Sequence, residues 1–170
     1  MAVNIEKFRQ TLSASPIKWV ELGKFSNDIL EERHIRMTVP VAGLHINHVG
    51  TVYAGSMFTL LELAAGAIFM CTYGLDEYVP IVASFEITYL KPTRKDLVVD
   101  IEWTEEEAAE RIAPIKERGR GRMPVELTLK DADGVEVAKA ISTLYILPFT
   151  NNMTVSYTHL RAHETGAYLV

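Results

Sequence analysis

Between Val39 and Leu75 the chain carries one formally charged side chain, Glu62, although 23% of its residues are Asp, Glu, Lys or Arg. Seven residues earlier stands Gly55, within the run NHVGTVYAGSMFTLLE that extends from Asn47 to Glu62. If a helix starts near Gly55, that spacing is about two turns and places both positions on one face. The first N–H groups of such a helix have no intrahelical acceptor and carry the positive end of its dipole. They can therefore stabilise an oxyanion, as ester or thioester cleavage requires. Gly55 has no side chain, so a ligand can approach its backbone closely. A carboxylate at Glu62, partly withdrawn from water, has its pKa pushed upward and can act as general base or nucleophile. Asn47 can hold a water or a substrate carbonyl through its amide. His48 is the other polar candidate in the loop.

Each of these residues also has a structural reading. A lone Glu in an apolar helix can cap a backbone group or pair with a basic residue at a subunit interface. Buried carboxylates are otherwise seldom tolerated, which favours the chemical role. His48 also suits loop packing, Asn47 also suits a turn, and Cys71 suits a small buried hydrophobe.

The elements that must position these groups can be read from periodicity. NIEKFRQTLS places Ile5, Phe8 and Leu12 at helical spacing. ERHIRMTVPV alternates around Ile35, Met37 and Val39 and reads as a strand ending at Pro40. A loop rich in Gly, His and Asn leads into an apolar helix from about Gly55 to Met70, closed near Gly74. VPIVASFEITYLKP reads as a strand that stops at Pro92, and KDLVVDIEW as another. In TEEEAAERIAPIKERGRGR, Thr104 and Glu107 form a capping box and acidic residues crowd the helix start. Pro114 should kink or end that helix nearby. PVELTLKDADGVEVAKAISTLYIL reads as a hairpin turning at Asp133-Gly134. The order predicts an α+β fold, one long central helix wrapped by a curved antiparallel sheet.

Composition narrows the classes. At 170 residues, 48% hydrophobic, the chain can bury a proper core as one domain, expected over residues 1–150. A net charge of −5 gives no support for nucleic-acid binding. Cys71 is the only cysteine, which rules out an internal disulfide and a zinc-type cysteine cluster and favours a reducing, cytoplasmic setting. The first residues lack the apolar core of a secretory signal. The one stretch near membrane-span length, Gly55 to Cys71, has Glu62 at its middle, at a cost of roughly 3 kcal/mol in lipid, so a buried core helix is expected and no membrane.

After STLYILPFT the text loses its periodicity. VSYTHLRAHET, from Val155 to Thr165, resembles one reading frame of a common transposase sequencing adapter. On that reading residues 151–170 are a non-native tail and His159, His163 and Glu164 are no metal site.

The run from Asn47 to Glu62 resembles the hotdog-fold thioesterases, specifically the phenylacetate-pathway type and the related DUF4442 and YiiD C-terminal groups. Their pattern is an Asn, a short loop, His-Gly-Gly or a variant, then Phe-x-Leu-Ala-Asp/Glu on the central helix. VASFEITYLKPTRKDLVV is similar to the family strand with a Tyr/Phe-Leu-x-Pro step and an Asp soon after it. The likeness covers roughly residues 30–148.

The resemblance implies an acyl-CoA thioesterase of hotdog fold. Glu62 falls on the catalytic acid, the Gly55 N–H on the oxyanion donor, and Asn47 on the Asn that places thioester or water. His48, Tyr53 and Ser84 become candidates for substrate binding. Tyr53-Ala54 stands where many relatives have His-Gly, which removes one carbonyl-polarising contact, and Glu for Asp lengthens the reach by one methylene. The implied partners are acyl-CoA or an acyl carrier protein thioester and a second copy of the chain. The site would lie at the homodimer interface, and the resemblance leaves open whether two dimers pair into a tetramer, a dimer of dimers. Coenzyme A enters as part of the substrate, with no cofactor and no metal. Arg118, Arg120 and Arg122, with Lys91, Arg94 and Lys95, are candidates for the phosphates of coenzyme A, or a solvated basic loop balancing EEEAAE. A non-catalytic acyl-CoA-binding hotdog module is one alternative. A hotdog hydratase or dehydratase is another, and only His48 could supply its histidine.

Overall fold

A computed structural model describes residues 5–6 and 17–149. The expected N-terminal helix falls outside them, apart from Ile5 and Glu6, which are helical. The tail and its adapter-like stretch also lie outside the described residues. The elements run α1 (Lys18–Leu22), β1 (Ser26–Glu31), β2 (His34–Val39), a 3-10 turn (Gly43–His45), α2 (Ala54–Tyr73), β3 (Tyr78–Tyr89), β4 (Leu97–Glu102), α3 (Glu105–Arg118), β5 (Gly121–Asp131) and β6 (Glu136–Pro148).

The six strands form one sheet in the order β1-β2-β4-β5-β6-β3, antiparallel throughout. Its inner face comes from strand alternation: Ile35, Met37 and Val39 on β2, Leu97 and Val99 on β4, Met123 to Leu129 at every second position of β5. Twist curls this face around α2. The helix therefore meets strands on most of its circumference, which explains why it is apolar almost all round. Ala64, Ala65 and Ala67 are fully covered and let the sheet approach closely. α2 has the length and hydropathy of a membrane span, but it is the core helix of this sheet. This is the α+β hotdog architecture expected from the sequence.

α2 begins at Ala54 and continues to Tyr73, one turn past the predicted end, and stops at Gly74 with φ 72°. α3 carries the expected capping box in full: Glu107 N–H donates to Thr104 Oγ1 (3.1 Å) and Thr104 N–H to Glu107 Oε2 (2.9 Å). Pro114 is accommodated within its last turns, because the position is exposed and water can satisfy the carbonyl left without a donor. Ile115, buried beside it, ties the end of the helix to the core. The β5–β6 hairpin turns at Gly134 (φ 80°), with Asp131 Oδ1 accepting from the N–H groups of Asp133 and Val135.

β3 pairs only with β6, so one edge of this 12-residue strand has no partner among the described residues. Ile81, Val82 and Tyr89 are exposed along it. A long apolar edge of this kind is a template for another strand.

Candidate active site

One stripe of α2 escapes the sheet. Gly55, Thr59, Glu62 and Gly66 recur at spacings of four, three and four, so they lie on one face, and all four are only partly buried. Three of them are small, and Glu62 stands up from the row they make. The Thr59 hydroxyl donates to the Gly55 carbonyl (2.8 Å) and accepts from the Trp19 indole N–H (3.3 Å), so α1 stands beside the stripe. Across it Phe58 meets Phe85 of β3 edge to face, ring centroids 4.7 Å apart. Trp19 is the residue that the sequence reading missed on this face, because α1 is a short element with no fully buried position to mark it.

Glu62 is half-buried, and among the described residues no hydrogen bond or ion pair reaches its carboxylate. Loss of water around it pushes its pKa above the usual value of 4.5. Neither structural role, a backbone cap or an ion pair, is present within the described chain.

At the other end of the stripe, α2 starts without a side-chain cap. Ser56 and Met57 donate back to the Tyr53 carbonyl, at 3.0 and 3.4 Å. The N–H groups of Ala54 and Gly55 have no acceptor among the described residues. The Tyr53 ring lies against Gly55 so closely that a Cβ added there would sit 2.3 Å from Tyr53 Cε1. Tyr89 adds a second ring: its hydroxyl donates to the Ala54 carbonyl (3.3 Å), and burial together with the nearby Tyr53 raises its pKa. A cleft of about 240 Å³ opens here, lined by Asn47, Ala54, Met57, Tyr89, Leu90 and Lys91, among others.

The loop before the helix is held by Asn47. Its Oδ1 accepts from the N–H groups of Val49 (3.0 Å) and Thr51 (3.1 Å), and its Nδ2 donates to Thr51 Oγ1 (2.9 Å). Both ends of the amide are therefore engaged in the turn, the structural alternative named above. From outside, Val52 N–H donates to the Thr93 carbonyl and Arg94 Nε to the Gly50 carbonyl, both at 2.9 Å. His48 is exposed.

The remaining candidates separate. Lys91 stands on the cleft wall beside Asn47 and Ala54. Lys95 is ion-paired with Asp133. Ser84 pairs with Thr143, and strand alternation puts its side chain opposite to that of Phe85, away from α2. The expected grouping of Arg118, Arg120 and Arg122 with Lys91 and Arg94 is not formed within one chain. β5 starts at Gly121 opposite Ile146, whereas β3 ends at Tyr89 opposite Ala138. The eight residue steps from Ala138 to Ile146 place the two basic groups roughly 26 Å apart along the sheet.

The model of a family described as a domain of unknown function, DUF4442, matches residues 24–146. A Pseudomonas aeruginosa protein of unknown function, described as a probable thioesterase, is 28% identical, with a TM-score of 0.77 over 85% of this chain and 96% of that one. A Streptococcus mutans protein bound to acetyl-CoA is 21% identical (TM-score 0.55; 73% and 89% covered). A Streptococcus pneumoniae protein described as a hypothetical thioesterase, with coenzyme A, is 16% identical (TM-score 0.54; 73% and 86%). The last two show the fold alone. No curated protein matches.

Proposed function

The chain belongs to the DUF4442 family, and from that membership and its site we propose that it hydrolyses acyl thioesters, with coenzyme A or an acyl carrier protein as the thiol. The observation that carries the reading is the pairing on one face of α2 of a carboxylate without a partner among the described residues, Glu62, with the open N–H groups two turns away. The Pseudomonas relative described as a probable thioesterase supports the reaction class, and coenzyme A as the thiol is the finer part of the proposal.

Gly55 and Glu62 are about 10 Å apart along the helix axis, for seven residues at 1.5 Å each. Side chains on a helix lean toward its N-terminus, which shortens the gap to the Glu62 carboxylate by a few ångströms. The remainder fits a carbonyl carbon and one water, so Glu62 acts as general base rather than direct nucleophile. The water oxygen attacks the thioester carbonyl carbon and Glu62 takes its proton. The oxyanion is held by the N–H groups of Ala54 and Gly55. Collapse breaks the C–S bond, and the proton returns from Glu62 to the thiolate. Asn47 keeps the loop in place for this step rather than contacting substrate, and Lys91 at the cleft meets a phosphate of the carrier.

The free edge of β3 pairs with that of a second copy in this reading, joining two sheets into one and enclosing the Glu62 stripe. With antiparallel β3 edges, the partner's basic turn comes toward the Lys91 end.

A second reading, a module that binds acyl-CoA without cleaving it, draws on the Tyr53 ring lying over Gly55. A panel of acyl-CoAs with a thiol reagent separates the two. Hydrolysis predicts CoA release that falls about 100-fold or more in Glu62→Ala, the range for general base catalysis. Release equal in wild type and Glu62→Ala on every acyl group sinks the hydrolase. Loss of enoyl-CoA absorbance without CoA release would indicate hydration instead.

A further inference from the structure

A buried histidine outside the stripe grips the start of α2. His45 is 3% exposed and Ser56 is fully buried. Four hydrogen bonds converge on His45: its Nε2 lies 2.7 Å from the Gly23 carbonyl, its Nδ1 lies 2.9 Å from Ser56 Oγ, its carbonyl accepts from Tyr53 N–H at 2.7 Å, and its own N–H donates to the Ala42 carbonyl at 3.1 Å. A carbonyl can only accept, so Nε2 must carry hydrogen. In the neutral ring Nδ1 is then bare and accepts from the Ser56 hydroxyl.

Tyr53 and Ser56 flank Ala54 and Gly55, the two residues whose N–H groups are open. His45 thus holds one residue before that pair through its backbone and one after it through its ring. The Gly23 carbonyl anchors the ring to the turn between α1 and β1, and Phe25 packs on it edge to face at 5.5 Å. Among the described residues no side chain caps this helix start.

We propose that His45 is a positioning residue for thioester hydrolysis: acting through Ser56 and Tyr53 from the protein interior, it fixes the direction in which the Ala54 and Gly55 N–H groups point. The inference rests on the hydrolase reading for its kinetic consequence and on geometry alone for the rest. A pair of donors serves an oxyanion only when both aim at one point, and displacements near 1 Å cost large factors in rate. The Ser56 hydroxyl is the link. Its loss leaves His45 Nδ1 without a donor and lets the first turn rotate.

The test uses the full chain and four forms: wild type, Ser56→Ala, His45→Gln, and the double variant. Gln keeps a donor within reach of the Gly23 carbonyl while losing the acceptor for Ser56. Imidazole nitrogen NMR of wild type should show protonated Nε2 and bare Nδ1. The backbone amide signals of Ala54 and Gly55 should move in Ser56→Ala while those of α3 stay in place. On an acyl-CoA substrate, Ser56→Ala and His45→Gln should each lose about tenfold in kcat with KM within about twofold, and the double variant should lose no more than either. The opposite tautomer, unmoved Gly55 amides, or additive losses in the double variant would overturn the brace. If wild type releases no CoA, the hydrolase reading fails, and the tautomer and amide signals still decide the brace. Should His45→Gln fail to fold, Ser56→Ala, which removes one atom, carries the test.

Discussion

The Tyr53 ring rests against the backbone of Gly55, leaving no room for a β-carbon between them. In Gly55→Ala the new methyl would meet Tyr53 Cε1 at 2.3 Å, and the ring, half-exposed and flexible, must swing away. Alanine is the better helix former by up to about 1 kcal/mol, so the fold should survive. The methyl and the displaced ring would nonetheless crowd the open N–H groups. Gly55→Ala is expected to lose at least about tenfold in kcat/KM at unchanged Tm. A Tyr53→Ala change in the same chain should recover part of that loss, measured by CoA release.

Glu62 has a pH signature of its own. Burial raises its folded-state pKa above 4.5, so the folded protein binds more protons than the unfolded chain just above that pH. Stability therefore falls as pH rises from 4.5 through the folded-state pKa, and the full penalty remains above it. Glu62→Gln removes the penalty and should raise Tm at pH 7–8 by about 1–2 °C, a small gain because solvent reaches part of the side chain. The two proteins should converge below pH 4.5. Thermal melts across pH 4 to 8 check the sign, and a variant less stable at pH 8 would contradict it.

Asn47 should prove a residue of stability more than of turnover. Asn47→Ala strips the acceptor from Val49 and Thr51 N–H and the donor to Thr51. Urea unfolding should show a loss of about 1–3 kcal/mol. Asn47→Asp keeps the acceptor and should lose less. Equal losses in both would mean that the Nδ2 contacts dominate.

The β3 edge offers the test of assembly. Ile81, 50% exposed, sits on that edge. Ile81→Lys puts a charge where a second strand would pair. On the proposed assembly, light scattering should show a dimer for wild type and a monomer for Ile81→Lys, with hydrolysis lost in parallel because each stripe would then lack an enclosing partner. A monomeric variant with full activity would separate the site from the assembly.

What the sequence made legible is what lies close along the chain. Gly55 and Glu62 share a face because helical periodicity alone dictates it, and the capping box of Thr104 and the Asp133-Gly134 turn are equally local. β1 was not foreseen, since SNDILE buries only Leu30 and an edge strand shows no alternation. His45 stood unnoticed between the exposed Leu44 and Ile46; its burial comes from Gly23 and Phe25, across the loop. The basic residues were grouped by their charge, as candidates for one set of phosphates, and charge carries no information about register. Only the register of β5 and β3 on β6 reveals that Arg120 and Lys91 belong to opposite ends of the sheet.

The strand order has a consequence for synthesis. β3 is made directly after α2, yet its sole partner among the described residues is β6, the last of the described strands to appear. Until the ribosome has passed Pro148, β3 has no strand to pair with, although β1, β2, β4 and β5 are already available to the central helix. Non-local pairing of this kind folds slowly and leaves sticky intermediates. The strand order therefore predicts that a chain truncated before β6 aggregates more readily than the full one.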